Sequence, residues 1–347
     1  MRHTPPEQLT ICELILRAQE RLALGLHPER ARFDAETLLV HIVQQHSPQH
    51  NRAWLIANWN HALLPGTEKR FSEFVARRVA GEPIQYITGE AEFYALPFRV
   101  TPDVLIPRPE TEHLVEKALD LAARFQAGSM QAAEELASVK GTGFSPYVNA
   151  MESAGALAPE GSLSGSSPTI PPSSADLNAI RILDVGTGSG CIAIALARHL
   201  PQAQITAIDL SAPALAIARR NADRNGVSNQ IHFLQGDLLA PVAQEQFEIV
   251  VSNPPYVPLA DRDTLAVEVR DHEPALALLA GPDGLNVCRR LIPQAFAALV
   301  PGGFLLLEIG CGQSEAVAAL LAASGFRQIE FLPDLQSIPR VACARRF

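Results

Sequence analysis

"RILDVGTGSGCIAIALARHL", residues 181–200, decides the fold. Its first five residues read as a strand, and "CIAIALARHL" reads as a helix. Between them Gly186, Gly188 and Gly190 strip the turn of side chains, so a ligand can come close to the backbone. The spacing is G-x-G-x-G. That is not the dinucleotide fingerprint G-x-G-x-x-G, and the lysine of a phosphate-binding loop is missing.

The same alternation runs on downstream. "QITAIDL" is a strand and "APALAIARRNADRNG" a helix, and "IHFLQGD" and "FEIVVSN" are further strands. "GLNVCRRLIPQAFAALV" is a helix, "GGFLLLEIG" a strand and "SEAVAALLAASG" a helix, with "RQIEFLP" and "VACARRF" as closing strands. The pattern predicts a doubly wound, mostly parallel α/β sheet of seven strands.

Upstream, residues 1–83 are helical. "TICELILRAQERLALG" and "FDAETLLVHIVQQH" repeat apolar residues every three or four positions, and Thr67 is a plausible N-cap for the next helix. We read 1–83 as a substrate-recognition domain and 84–109 as a β-hairpin linker. The catalytic domain then spans 110–347. Within that domain, more than half of residues 126–178 are Gly, Ser, Ala or Pro. Such a stretch buries too little apolar area to offset its ordering entropy, and a disordered surface insertion is expected there.

Composition narrows the function classes. The chain has 347 residues, 47% hydrophobic and 19% charged, with a formal net charge of -9. Residues 1–83 hold ten Lys/Arg and nine Asp/Glu, so they are not a nucleic-acid arm. The five cysteines are scattered without a C-x-x-C pair, which fits a reducing cytoplasm. The first residues carry Glu7 and Glu13 and no apolar core of a signal peptide. No apolar run approaches the ~20 residues of a membrane span. The histidines show no H-E-x-x-H or other ligand spacing, so no metal is expected.

Acidic residues end the next two strands. Asp209, 19 residues after Gly190, is placed to accept hydrogen bonds from ribose hydroxyls, and Asp237 to meet an adenine amino group. These point to an adenosine-containing cofactor, NAD or S-adenosylmethionine, and the glycine pattern does not separate the two. Asp184 would meet a cofactor ammonium or cap the helix.

The fourth strand separates them. In "VVSNPPYVP", residues 250–258, the strand stops at Asn253. A residue before proline is held extended, so its side chain keeps one direction. Pro254 and Pro255 fix their own backbone and have carbonyl oxygens but no N–H. The Asn253 side-chain oxygen and a proline carbonyl thus form a rigid acceptor pair, with the flat face of Tyr256 beside it. That arrangement suits an NH₂ on a planar conjugated group. Its delocalised lone pair makes positioning most of the catalysis.

Together, "LDVGTGSG", "AIDLS", "QGDL" and "VVSNPPYVP" resemble the successive motifs of class I S-adenosylmethionine-dependent methyltransferases that modify planar nitrogens. "GEPIQYITGEAEFYALPFRVTPDVLIPRPETEHLVE" (81–116) and "EPALALLAGPDGLNVCRRLI" (273–292) are similar to the glutamine N5-methyltransferases of peptide chain release factors. The resemblance covers nearly all of the chain except 126–178. It implies S-adenosylmethionine as cofactor, with Gly186, Thr187, Gly188, Ser189, Gly190 and Asp209 binding it and Asp237 and Leu238 bordering its adenine. Relatives often carry an aromatic where this chain has Leu238. Asn253 would contact cofactor and substrate, and Pro254, Pro255 and Tyr256 would grip the glutamine amide. Phe98 and residues 106–112 would border the peptide, with Arg108 alternatively paired to an acid. The implied substrate is the glutamine of the Gly-Gly-Gln tripeptide in release factors 1 and 2, methylated by a monomer without nucleic acid. Two alternatives share the motifs: a glutamine methyltransferase of a ribosomal protein, and a DNA or RNA amino-methyltransferase. The latter lacks its Lys/Arg-rich recognition segment here.

Overall fold

A strand whose side chains alternate between two faces needs apolar cover on both, and the helices between the strands supply it. The computed structural model describes residues 9–140 and 179–347. Among these residues the first helices are α1 (Ile11–Leu22), α2 (Ala31–Gln44), α3 (Arg52–Ala57) and α4 (Thr67–Val79). Ile11, Ile15, Leu38, Leu39, Leu55 and Phe71 meet in one buried cluster of their own. A capping box opens α1. There the Thr10 hydroxyl accepts from the Glu13 N–H, and the Glu13 carboxylate accepts from the Thr10 N–H. At α4 the cap position belongs to Gly66, at φ 88°, and Thr67 is the first helical residue, with its side chain buried.

A helical turn, α5 (Ile84–Thr88), occupies the start of the segment that the sequence assigns to strands. Left-handed Gly89 stops it. The hairpin β1 (Glu90–Phe93) and β2 (Leu96–Arg99) follows, antiparallel. Next comes α6 (Glu112–Lys140), longer than expected. It runs through the first part of the 126–178 insertion, because "QAAEELASVK" is made largely of strong helix formers. Residues 141–178 of that expected insertion lie outside the described residues.

The sheet contains β3 (Arg181–Val185), β4 (Gln204–Asp209), β5 (Ile231–Gln235), β6 (Phe247–Ser252), β7 (Leu299–Glu308), β8 (Arg327–Pro333) and β9 (Pro339–Arg345). Their order is β5-β4-β3-β6-β7-β9-β8, parallel except for β9, which is antiparallel to both neighbours. This is the doubly wound α/β sheet that the alternation predicts. The connecting helices are α7 (Cys191–His199), α8 (Ala212–Arg224), the short α9 (Val267–His272) and α10 (Ala275–Leu278), α11 (Asn286–Ala298) and α12 (Ser314–Ala323). Ile182, Ile249, Val251 and Leu306 face the layer of α6 and α7. Leu183, Val185, Val250, Leu305 and Leu307 face that of α11 and α12. From β3 the chain winds outward to β4 and β5, then returns to the other side of β3 for β6. That reversal opens a crevice at the carboxyl ends of the strands.

The helical bundle is joined to the rest through Arg78, which is 6% exposed. Its Nε donates to Asp34 Oδ2 at 2.7 Å, and its Nη1 pairs with Glu268 on α9. Arg78→Met leaves the buried Asp34 carboxylate with only the half-exposed Arg30, 3.6 Å away, as its partner. A loss of about 3–5 kcal/mol in urea-unfolding free energy is expected, and Asp34→Leu in the same chain should recover part of it.

Candidate active site

The strand ends converge on a cavity of about 270 Å³. It is lined by the glycine turn, Asp209–Ser211, Gly236–Leu238 and Ser252–Pro255, and closed by Asp103–Thr111 and the segment around α10. Predicted residues of four separate strand exits thus meet at one place, whereas Gly190 and Tyr256 stand outside the lining.

The three glycines do different work. Gly186 and Gly188 have φ of 75° and 56°, and a Cβ at either would have no atom within 4 Å. The space is open toward the cavity that both residues line. Gly190, at φ 83°, sits at the N-cap of α7, where a Cβ would come within 2.9 Å of Ile194 Cδ1 and 3.2 Å of Ala218 Cβ. Its bareness serves the packing of α7 against α8. Asn221 on α8 clasps the turn from below: its Nδ2 donates to the Ser189 and Arg99 carbonyls, and its Oδ1 accepts from the Arg99 N–H.

Two acids support the turn. Asp184 is fully buried, and its Oδ2 accepts from Thr187 Oγ1 at 2.7 Å and from the Ala193 N–H at 3.2 Å. Oδ1 has no partner, and burial pushes the carboxyl up to about 7 against the pull of those two donors. Asp184 thus caps α7 from a fully buried position behind the cavity lining. Asp209 accepts from the Gly188 N–H through Oδ2 and from the Ser211 N–H through Oδ1, both at 2.8 Å. Each oxygen keeps a lone pair, so the carboxylate is a fixed two-pronged acceptor. Burial raises its pKa, and the backbone donors oppose that. Asp237 is turned differently, into an ion pair with Arg290 at the rim. Leu238 follows in a left-handed conformation, φ 52°, and lines the cavity with an apolar wall.

Asn253 leaves β6 where Ser252 Oγ donates to the Val185 carbonyl at 2.6 Å, tying the exits of β6 and β3 together. Asn253 Nδ2 donates to Thr111 Oγ1 at 3.1 Å, and Thr111 Oγ1 donates to Glu308 Oε2 at 2.5 Å. The Tyr256 hydroxyl reaches Glu308 Oε1 at 3.3 Å, and burial together with Glu308 raises the phenol's pKa. The backbone is pinned as well. Gln313 Nε2 donates to the Tyr256 carbonyl at 3.0 Å, and Val257 exchanges hydrogen bonds with Leu278 and Ala280. Gly284 makes this possible, since a Cβ there would lie 2.2 Å from the Tyr256 carbonyl oxygen.

Of two residues near the linker, Arg108 lines the cavity while paired to an acid, and Phe98 does not reach it. Arg108 pairs with Glu273, a buried acid that also accepts from the Ile106 N–H. The "IPRP" segment is thereby held against the segment leading into α10. Phe98 is 0% exposed and packs edge-on against Phe93 in the core. The structure does not bring it to the cavity, because alternation along β2 turns it inward while Arg99 faces out. Glu308, Gln313, Arg290 and Glu273 are neighbours that sequence reasoning missed, and Thr111 was covered only as part of the range 106–112. The one signal for Glu308 is a single acid closing the apolar run "FLLLE" at a strand's carboxyl end.

A sheet of this order, with an acceptor-lined crevice at its point of reversal, is the frame of a methyltransferase. The family model for the Methyltransferase small domain matches residues 171–270, and that for the PrmC N-terminal domain matches residues 13–89. Proteins called "Release factor glutamine methyltransferase" are similar over most of their length. That of Geobacter sulfurreducens is 35% identical over 91% of this chain and 90% of its own. Those of Moorella thermoacetica and Deinococcus radiodurans are both 37% identical, covering 97% and 96% of this chain and 99% and 98% of theirs. The chain belongs to the release factor glutamine methyltransferase family and is a methyltransferase.

Substitution at the turn should separate packing from openness. Gly190→Ala combines a left-handed alanine with a steric clash and should cost about 2–4 kcal/mol in urea unfolding. Gly188→Ala meets open space and should cost only about 1–2 kcal/mol.

Proposed function

We propose that this chain transfers a methyl group from S-adenosylmethionine to N5 of the glutamine in the Gly-Gly-Gln tripeptide of release factors 1 and 2. The observation that carries the reading is the Asn253–Tyr256 exit. It brings Asn253, Pro254 and Pro255 to the cavity next to an open glycine turn, and we read Asn253 and a proline carbonyl there as a rigid acceptor pair. Family membership supports the release-factor substrate. The proposal includes a monomeric enzyme, with residues 1–83 as the domain that recognises the protein substrate.

The residues present fit S-adenosylmethionine. Gly186 and Gly188 line the cavity and leave room for its methionine portion. Asp209 would hold the two ribose hydroxyls, and Asp237 and Leu238 would border the adenine. When bound, the cofactor supplies an electrophilic methyl on a sulfonium sulfur. Asn253 Oδ1 and the Pro254 carbonyl accept the two hydrogens of the substrate amide and direct its nitrogen. The Tyr256 ring covers the amide plane. Both acceptors stabilise the positive charge that grows on nitrogen, without being consumed or reorganised.

A side-by-side assay with labelled S-adenosylmethionine tests the assignment. Release factor, its Gln→Ala form in the tripeptide, a ribosomal-protein fraction and duplex DNA are offered separately. Label on native release factor alone is expected, and label on DNA or ribosomal protein instead would overturn it. In the same assay Asn253→Ala should lower turnover by ~10²-fold or more, while cofactor affinity changes far less. A near-normal rate would remove Asn253 from the reaction.

A further inference from the structure

A carboxamide carries an acceptor at one corner and a donor at the other, and a half turn of its plane exchanges them. Asn253 can receive an amine in one orientation only, since the other sets N–H against N–H. The orientation is decided by its neighbours. Asn253 Nδ2 donates to Thr111 Oγ1. The Thr111 hydroxyl has a single hydrogen, and that hydrogen goes to Glu308 Oε2. The hydroxyl therefore meets Asn253 with a lone pair, and only the amide nitrogen can face it. The chain from amide to hydroxyl to carboxylate runs in one direction because its last member accepts without donating.

Glu308 is 2% exposed at the end of an apolar strand, a costly position for a charge. It does not line the cavity, whereas Thr111 and Asn253 do. The two hydroxyls of Thr111 and Tyr256, one on each carboxylate oxygen, hold it there. Thr111 and Glu308 come from opposite ends of the catalytic domain, 197 residues apart, and each is 2% exposed or less.

We propose that Thr111 and Glu308 are positioning residues: Glu308, acting through the Thr111 hydroxyl, holds the Asn253 carboxamide with its oxygen toward the reacting amine. The proposal rests on the methyl-transfer reading and deepens it. Without the carboxylate, the Thr111 hydrogen is free to turn to Asn253 Oδ1, and the flipped amide becomes competitive. Without the hydroxyl, nothing distinguishes the two corners.

The test is kinetic, with release factor as substrate. Thr111→Val and Glu308→Met should each lower kcat on the order of 10- to 100-fold, with S-adenosylmethionine affinity within about twofold of wild type. Thr111→Ser keeps the hydroxyl and should stay near wild type. The double variant should be no worse than Glu308→Met alone, because the Thr111 hydroxyl orients the amide only in the direction the carboxylate sets. Thr111→Val added to Asn253→Ala should cost nothing further. A purely structural role would lower the rate in that background by the same factor and would overturn the proposal. So would a Thr111→Val enzyme with wild-type kcat while the wild type labels the release factor. A wild-type enzyme that labels no release factor removes the methyl-transfer reading, and this proposal with it.

Discussion

The reversal of winding between β3 and β6 is the constraint on which the rest depends. These two strands lie side by side and parallel, yet the chain leaves them for opposite layers. After β3 it passes into α7, packed on the layer that contains Ile182 and Val251. After β6 it passes through α9 and α10 to α11, packed on the layer that contains Leu183 and Val250. Two connections that part above adjacent strands cannot fill the space between them. The glycine turn takes one lip of the gap and the Asn253 exit the other, and the Ser252 hydroxyl on the Val185 carbonyl fixes their separation.

Much of this was legible because it is local. A strand, bare turn and helix in twenty residues announce themselves, and so does an asparagine locked before two prolines. The apolar alternation of the later strands gave the sheet its winding. What stayed hidden depends on residues that are distant in sequence. Thr111 and Asn253 are 142 residues apart, and nothing in "IPRPETE" marks Thr111 over its charged neighbours. Gly190 has the same chemistry as Gly186, and only the nearness of Ala218 shows that it serves packing. Phe98 misled because an aromatic in a linker looks available, whereas the hairpin's pairing register turns it into the core. The helix that overran into the insertion did so because its alanines and glutamates favour a helix, whatever the glycine and serine beyond them imply.

The site is also a collection of carboxylates kept from water by different means. Asp184, Asp209, Glu273 and Glu308 are all pushed upward in pKa by burial. Asp209 is answered by backbone N–H groups, Glu273 by the Arg108 guanidinium, Glu308 by two hydroxyls, and Asp184 by one hydroxyl and one N–H. The acids answered on both oxygens stiffen the frame. The one left half-answered, Asp184, serves the turn instead, as the cap of α7.

The Asn221 clasp gives the hairpin an unequal tolerance to change over evolutionary time. Its carboxamide grips both backbone groups of Arg99 while holding the Ser189 carbonyl, so the end of β2 is indexed to the glycine turn. Beyond it a second anchor holds the chain, with the Val104 carbonyl taking the Tyr86 hydroxyl and the Ile106 N–H donating to Glu273. A single insertion between Phe93 and Arg99 cannot be absorbed, since it would either turn Phe98 out of the core or pull Arg99 from the clasp. Length changes in the linker are therefore confined to the few residues between these two anchors.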